Sequence, residues 1–281
     1  MNHTLADGRV WRIIRNIILI LGGFMILSPL YLVVVNSFKS MEEASRGFFA
    51  PPRSFLNFDN FKRLFASQNY LGYLRNSFFI TAASLLIESI LVPAASYAIA
   101  RNFKRPYYKF VYIFLILGLF IPAQVVILPV TKFITTLGLL NQMGLILLYS
   151  TYCLTRGIFL YVNYVRNMPI ELEEAARVDG CNVFKTYIHV ILPLTSPMLA
   201  TLIVMDALWY WNDFMLPLMI LNRSRAFWTL PLFQYNFKTE YSFNYTMSFT
   251  AYLMSMLPVL IIYIIGQKSI IKGLTAGAIK G

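Results

Sequence analysis

The sequence predicts an all-α membrane protein with six transmembrane helices and one polar helix between the fourth and the fifth. Only 13% of its 281 residues are charged and 58% are hydrophobic, whereas charged residues approach a quarter of an average soluble domain. A bilayer core of about 30 Å needs about 20 helical residues. Six apolar segments of this length occur, and a short polar segment, residues 166–193, separates the last two from the rest.

Polar residues interrupt the six predicted spans at few places. The spans are Ile17–Val35, Phe78–Ala98, Phe110–Leu128, Met143–Tyr164, Pro197–Ile220 and Met247–Ile265. Glu88 and Pro93 interrupt the second span, and Asp206, Asp213 and Pro217 interrupt the fifth. The bilayer core contains no water that could form hydrogen bonds with a backbone group left unpaired by a proline. A proline in a span therefore indicates either a helix beside a cavity or a kink supported by its neighbours. Both interpretations stand at this point.

Basic residues near the span ends predict the topology. They cluster before the first span and between the second and third, at Arg9, Arg12, Arg15, Arg101, Lys104, Arg105 and Lys109. The positive-inside rule places these clusters and residues 166–193 in the cytoplasm. We therefore predict a cytoplasmic segment 1–16, a membrane domain 17–266 and a cytoplasmic tail 267–281. The loop after the first span is also basic, which argues weakly the other way, and Asn60–Ala66 is predicted to form a short helix on the outer surface.

Composition and motifs argue against several other classes. The net charge of +12 comes from basic residues scattered between apolar spans, which indicates contact with membrane lipid and not with nucleic acid. Cys153 and Cys181 lie in different surroundings, so we expect no disulfide and no metal site. The segment Gly266–Ser269 lacks the first glycine of a phosphate-binding loop. We therefore expect that the chain is not an enzyme, binds no cofactor and hydrolyses no ATP.

The polar segment has the signals of a short helix, a turn and a second helix. Pro169 suits the first turn of a helix, and Glu173 stands four residues before Arg177, an order that favours an ion pair. Gly180 is predicted to end this helix in a left-handed conformation, and Asn182 to cap the next one. Leu192-Pro193 is predicted to end the second helix before the fifth span.

One face of the first polar helix is predicted to contact another protein. Its two alanines would allow a close approach, and the face comprises Leu172, Ala175, Ala176 and Asp179. The alternative is an amphipathic connector that lies on the membrane surface. Helical periodicity alone does not choose between the two.

A motif in this segment resembles the signature loop of permease subunits in ABC importers. The spacing is Glu174-Ala175-Ala176, three residues, Gly180, nine residues, an aliphatic residue, one residue and Leu192-Pro193. Val190 stands where the family usually has isoleucine. Other motifs are similar to the smaller permease of maltose and multiple-sugar importers, namely Asn36-Ser37-Phe38-Lys39, Ile121-Pro122, Leu128-Pro129, Leu137-Gly138-Leu139-Leu140-Asn141, Trp211-Asn212-Asp213-Phe214, Pro217-Leu218 and the ending Lys272–Gly281.

The resemblance implies a six-helix type I permease fold in a bacterial or archaeal cytoplasmic membrane. It implies four partners in addition to lipid: a second permease, two ATPase subunits that hold ATP and magnesium, and an extracytoplasmic sugar-binding protein. By the same resemblance, Glu174, Ala175, Ala176 and Gly180 would sit in a cleft of an ATPase. The tail, Gly277–Gly281, would reach between the ATPases.

Ionisable residues inside spans cost about 2.5–3.5 kcal/mol each by insertion scales, so each one requires a partner or a wet cavity. Glu88 and Arg156 both fall near mid-span, and we expect them to pair or to join one polar network. In the fifth span a helical stripe gathers residues suited to a sugar pathway, Asp206, Trp209, Tyr210 and Asp213, whereas Trp211 and Asn212 would point elsewhere. The alternative for this stripe is contact between helices, with aromatic residues at the membrane interface.

These observations favour an importer permease for a sugar or oligosaccharide, driven by ATPases on other subunits. An ABC permease for another cargo, such as a phosphorylated polyol, is one alternative. A stand-alone proton- or sodium-coupled carrier is another, with Asp206 or Glu88 as its ionisable site. That carrier would leave the Glu-Ala-Ala segment without a role.

Overall fold

The computed structural model describes residues 3–67, 69–235 and 244–278, and for residues 3–10, 67 and 268–278 it describes the backbone alone. The described residues form helices and connecting turns, without a β-strand. The helices are α1 His3–Ser37, α2 Met41–Arg46, α3 Asp59–Ser67, α4 Tyr70–Arg101, α5 Pro106–Phe120, α6 Ala123–Thr136, α7 Gln142–Arg166, α8 Glu171–Val178, α9 Val183–Leu194, α10 Ser196–Asn212, α11 Met215–Leu221, α12 Leu230–Tyr235 and α13 Tyr245–Ala278.

Four predicted spans are single helices that are long and apolar enough to cross a membrane. They correspond to Trp11–Ser37, Tyr70–Arg101, Gln142–Arg166 and Tyr245–Gln267. Pro93 does not break α4, which continues through it and through Glu88. The short helix predicted at Asn60–Ala66 is confirmed as α3. At the other end of the chain α13 continues to Ala278, so the predicted tail contact of Gly277–Gly281 lies partly outside the described residues.

The third predicted span is bent within its length, and the fifth is broken at Asp213, one of the residues that the sequence analysis named as interrupting it. α5 and α6 meet at an angle of 107°, where a tight 3-10 turn, Gly118–Phe120, leads into Pro122. α9 and α10 meet at 68°, and α10 ends at Asn212 before α11 begins at Met215. Proline has no N–H to donate and restricts the residue before it, so Pro122 favours the break between α5 and α6. By length and composition, the described chain thus has four helices that could cross a membrane, or six candidate spans if each bent pair counts as one.

The chain forms two compact units, Met1–Tyr70 with Gln234–Leu257, and Leu71–Phe233 with Pro258–Gly281. In the first unit, the segment after α1 folds around Lys39, which is fully buried. Its Nζ donates to the carbonyl oxygens of Gly47 at 2.8 Å and Phe48 at 3.1 Å and to the Asn36 side chain at 3.3 Å. Burial lowers the pKa of the Lys39 ammonium, and the Glu43 carboxylate offsets part of this change.

In the same unit, α3 packs against the segment that follows α1. Asn60 donates from Nδ2 to the carbonyl oxygens of Ser37, at 3.0 Å, and Lys39, at 2.8 Å. The ring of Phe38 contacts the rings of Phe55, Phe58 and Phe61, with centroids 5.1–5.7 Å apart. The motif Asn36-Ser37-Phe38-Lys39 therefore organises the loop that follows α1.

In the second unit, α4, α5, α7 and α10 enclose an apolar core. Its buried members are Val92, Ile99, Ala100, Tyr112, Ile158, Tyr161, Val162, Val165, Met198 and Leu202. α4 and α7 approach each other closely at Gly157, where an added Cβ would lie 2.9 Å from Val92 Cγ2. Small residues allow such close approach between membrane helices. The predicted division into segments 1–16, 17–266 and 267–281 concerns sides of the membrane and stays a prediction.

Candidate functional site

The polar helix α8 has the C-terminal cap that the sequence predicts, whereas it begins at Glu171 without a side-chain cap, and Pro169 lies before its first turn. Gly180 adopts a φ of +82°, in the left-handed region that favours glycine. Its N–H donates to the Arg177 carbonyl at 3.0 Å, and the N–H of Cys181 donates to the Ala176 carbonyl at 2.9 Å. This pair of bonds is a Schellman motif. Asn182 caps α9 by accepting from the Lys185 N–H at 2.9 Å, so α8 and α9 are held in a defined helix–turn–helix.

α9 leads into the membrane helix α10 through a fixed bend. A stretch of π-helix, Tyr187–Ile191, precedes Pro193, and the helix ends at Leu194, one residue beyond the predicted stop. At the bend, the Tyr161 hydroxyl of α7 donates to Thr195 Oγ1 at 2.5 Å. Both of these side chains are fully buried. The polar segment is therefore joined directly to the core of the second unit.

The side of α8 that faces α4, its inner side, carries the buried carboxylate of Glu173, which is 1% exposed. Its Oε1 accepts from Arg101 Nε at 2.5 Å, and its Oε2 accepts from the Tyr97 hydroxyl at 2.9 Å. Arg177 Nη2 lies 3.9 Å from Oε2, which confirms the predicted pair. The sequence analysis used Arg101 for topology alone and missed it and Tyr97 as partners, because only the packing of α4 against α8 brings them together.

The outer side of α8 is exposed in the part of the chain that the structure describes. Leu172 is 41% exposed and Val178 is 88% exposed, and Glu174, Ala175, Asp179 and Gly180 are exposed as well. Ala176 is different, because it is 7% exposed and lies on the inner side with Glu173. The prediction that Ala176 lies on the contact face was therefore wrong. The surface open to a partner is therefore formed by Leu172, Glu174, Ala175, Val178, Asp179 and Gly180.

A cavity of about 670 Å³ lies beside the end of α10. Its walls are Arg156, Met205, Leu208, Trp209, Asn212, Asp213, Phe214 and Met215. A smaller cavity of about 220 Å³ shares Arg156 and Trp209 and extends toward the turn between α5 and α6. The predicted stripe divides here: Trp209 and Asp213 line the cavity, whereas Asp206 and Tyr210 are buried behind it. Asn212 was predicted to point elsewhere but is one of the lining residues.

The ionisable residues near the cavity are arranged differently from the predicted Glu88–Arg156 pair. Arg156 Nη2 forms an ion pair with the fully buried Asp206. The Tyr210 hydroxyl donates to Glu88 Oε2 at 3.1 Å. Arg156 still interacts electrostatically with Glu88, so the two residues share a network without a direct hydrogen bond. Hydropathy located these residues, but their partners depend on the rotation of α4, α7 and α10 about their axes.

Tyr149, which the sequence analysis did not single out, positions Asp213. Its hydroxyl donates to Asp213 Oδ2 at 3.0 Å, while Oδ1 accepts from the Met215 N–H at 3.0 Å. The Tyr149 ring stacks on Tyr210 with centroids 4.7 Å apart and meets Trp209 edge-on at 5.5 Å. A carboxylate held on both oxygens and an adjoining indole ring therefore face the cavity together.

Residues 91–275 match the family described as "Binding-protein-dependent transport system inner membrane component". The chain belongs to this family. This inner membrane component is 45% identical over 268 residues to the multiple sugar-binding transport system permease protein MsmG of Streptococcus mutans, covering 95% of this chain and 96% of the relative. It is 34% identical over 254 residues to the probable starch degradation products transport system permease protein AmyC of Thermoanaerobacterium thermosulfurigenes, covering 90% and 92%.

A solved structure shows the same fold. The inner membrane component matches a chain in the crystal structure of a bacterial ABC transporter involved in the import of the acidic polysaccharide alginate, with a TM-score of 0.83 and 23% identity. The match covers 93% of this chain and 97% of that chain. The all-α permease fold predicted from the sequence is confirmed. The chain is a multi-pass membrane component of a transport system that depends on a binding protein.

Proposed function

We propose that the chain is one of two permease subunits of an ATP-driven importer for neutral sugars or oligosaccharides. The observation that carries this proposal is α8, a helix capped at its C-terminal end by a Schellman motif, with a buried inner side and an open outer side. In a membrane transport component, such a helix is suited to receive force from a soluble partner. The names of the relatives, which specify multiple sugars and starch degradation products, support a carbohydrate cargo.

The coupling partners are two ATPase subunits on the cytoplasmic side. The positive-inside rule supports this orientation for α8 and for both termini. Glu174 and Ala175 are exposed on α8, so the carboxylate can pair with a basic group of an ATPase and the alanine permits close approach. ATP and magnesium would be bound by these subunits, since the sequence of this chain contains no phosphate-binding loop. A second permease and an extracytoplasmic binding protein complete the assembly.

The cavity beside α10 supports a neutral carbohydrate as cargo. Carboxylate and amide oxygens accept hydrogen bonds from hydroxyls, and the flat Trp209 ring can cover the C–H face of a sugar. Among the described side chains that line or directly back this cavity, there are three carboxyl groups, Glu88, Asp206 and Asp213, and one guanidinium, Arg156. A phosphorylated polyol would meet the Asp213 carboxylate there, and the Arg156 guanidinium is already paired with Asp206, which makes this cargo the weaker candidate.

Charge reversal on the exposed face of α8 tests the coupling. In proteoliposomes with all partners, Glu174→Lys is expected to abolish sugar uptake and ATPase co-purification while the chain still inserts. The same reversal at the remote, exposed Glu42 is the matched control and is expected to leave uptake unchanged. Normal uptake by Glu174→Lys would refute this assignment.

The cargo is tested separately with the binding protein that co-purifies with the complex. Neutral oligosaccharides and phosphorylated polyols are added to it in turn, and its thermal midpoint is measured. We expect a rise with neutral oligosaccharides alone. A rise confined to phosphorylated polyols would overturn the cargo and leave the coupling proposal standing.

A further inference from the structure

Glu173 is next to Glu174 in the sequence but faces the opposite way. It is 1% exposed, so an ATPase docked on the outer side of α8 cannot touch it. Both of its oxygens are held by donors from α4, the Tyr97 hydroxyl and the Arg101 guanidinium. Arg101 is itself largely buried, with 15% of its side chain exposed. A buried ion pair of this kind is costly to break, because the remaining charge loses its compensation.

The end of α4 also contacts α9. The ring of Tyr97 stacks on the ring of Tyr187, with centroids 5.5 Å apart and an angle of 28° between the planes. One turn of α4 therefore holds both helices of the polar segment. A displacement of α8 and α9 must move this end of α4, or else break the contacts of Glu173 and Tyr187.

α4 continues from these contacts to the cavity without a break. Its 32 residues are helical throughout, including Pro93, and Glu88 lies 13 residues before Arg101, about 20 Å along the axis. Glu88 accepts from Tyr210, whose ring stacks on Tyr149, the residue that holds Asp213. α4 therefore links the polar segment to the wall of the cavity.

We infer that Arg101 and Glu173 are positioning residues that transmit the movement of α8 through α4 to the cavity. This inference rests on the proposed ATPase coupling and assigns different roles in it to Glu173 and Glu174. Glu174 contacts the partner, whereas Glu173 converts that contact into movement of a membrane helix. Transmission through a packed helix requires a continuous set of contacts, and the two donors on Glu173 provide the contact between α8 and α4.

The test uses the complete importer in proteoliposomes with Arg101→Gln, Glu173→Gln and the double variant. The measurements are complex yield, ATP hydrolysis and the number of sugars imported per ATP. We expect intact complexes that hydrolyse ATP but import at least about fivefold fewer sugars per ATP, the usual lower limit of coupling between sites. The double variant should be no worse than either single one, because each residue acts through the other.

Arg105→Gln is the matched control, since Arg105 is exposed in the connection between α4 and α5, four residues after Arg101, and its substitution is expected to leave the ratio unchanged. Losses that multiply in the double variant would overturn the inference, as would a normal ratio in both single variants. Loss of the complex itself would also overturn it, because the pair would then be purely structural. If Glu174→Lys imports normally as well, the proposed coupling fails; if Glu174→Lys alone is inactive, only the role of Arg101 and Glu173 fails.

Discussion

At the scale of single residues, three carboxyl groups in the predicted spans each have a specific partner. Asp206 has Arg156, Glu88 has the Tyr210 hydroxyl, and Asp213 has the Tyr149 hydroxyl and a backbone N–H. These partners offset the cost of placing such groups in a membrane. They also separate two roles, because Asp213 faces the cavity whereas Asp206 only supports it.

Removal of Arg156 is predicted to destabilise the fold through Asp206. Arg156→Leu leaves a fully buried carboxylate without its counter-charge, and the cost should be about 3 kcal/mol, the lower end for breaking a buried pair, since Arg156 borders a cavity. The thermal midpoint of the detergent-solubilised chain measures this effect. Arg156→Leu with Asp206→Leu should regain most of the loss. An unchanged midpoint in the single variant would contradict the prediction.

The sequence was sufficient to locate Glu88, Arg156, Asp206 and Asp213, because a polar residue in an apolar run is conspicuous. It was insufficient to pair them. A rotation of α7 by one residue, about 100°, would replace the Asp206 contact by another, and no local pattern specifies that rotation. Glu173 shows the same limit, since its burial follows from where α4 ends in space.

At the scale of helices, hydropathy predicts that six spans exist but not how they are bent. Pro122 is a visible signal for the break between α5 and α6, yet the 107° angle depends on what each helix packs against. In α4, Pro93 is equally visible and produces no break. Neighbouring helices can support a proline in a membrane span, so the residue type alone does not distinguish the two outcomes.

The contact between α4 and α7 makes a prediction at this scale. Gly157→Ala would place a Cβ 2.9 Å and 3.0 Å from the two methyl carbons of Val92. Such overpacking should cost about 1–3 kcal/mol and lower the thermal midpoint, and Val92→Ala should restore it by making room. Gly22→Ala in α1 is the matched control, because nothing lies within 4 Å of its added Cβ. Equal midpoints for the two alanine variants would refute this packing argument.

At the scale of the whole molecule, transport should require the partners. The chain reconstituted alone in liposomes is expected to hydrolyse no ATP and to import none of the sugars that stabilise its binding protein, because its sequence has no phosphate-binding loop. Phosphate release and uptake of radiolabelled sugar are the measurements, and liposomes that contain the complete importer are the control. Uptake by the chain alone, driven by an imposed proton or sodium gradient, would instead favour a stand-alone carrier.

The buried ammonium of Lys39 gives the chain an internal chemical reporter. Acylating reagents modify amines that solvent reaches, so Lys62, whose side chain is 78% exposed, should be modified at once. Lys39 is enclosed by the carbonyls of Gly47 and Phe48 and should react only when the loop after α1 opens. The ratio of label at Lys39 to label at Lys62 would therefore report whether this loop opens when the importer transports sugar, without any substitution in the chain.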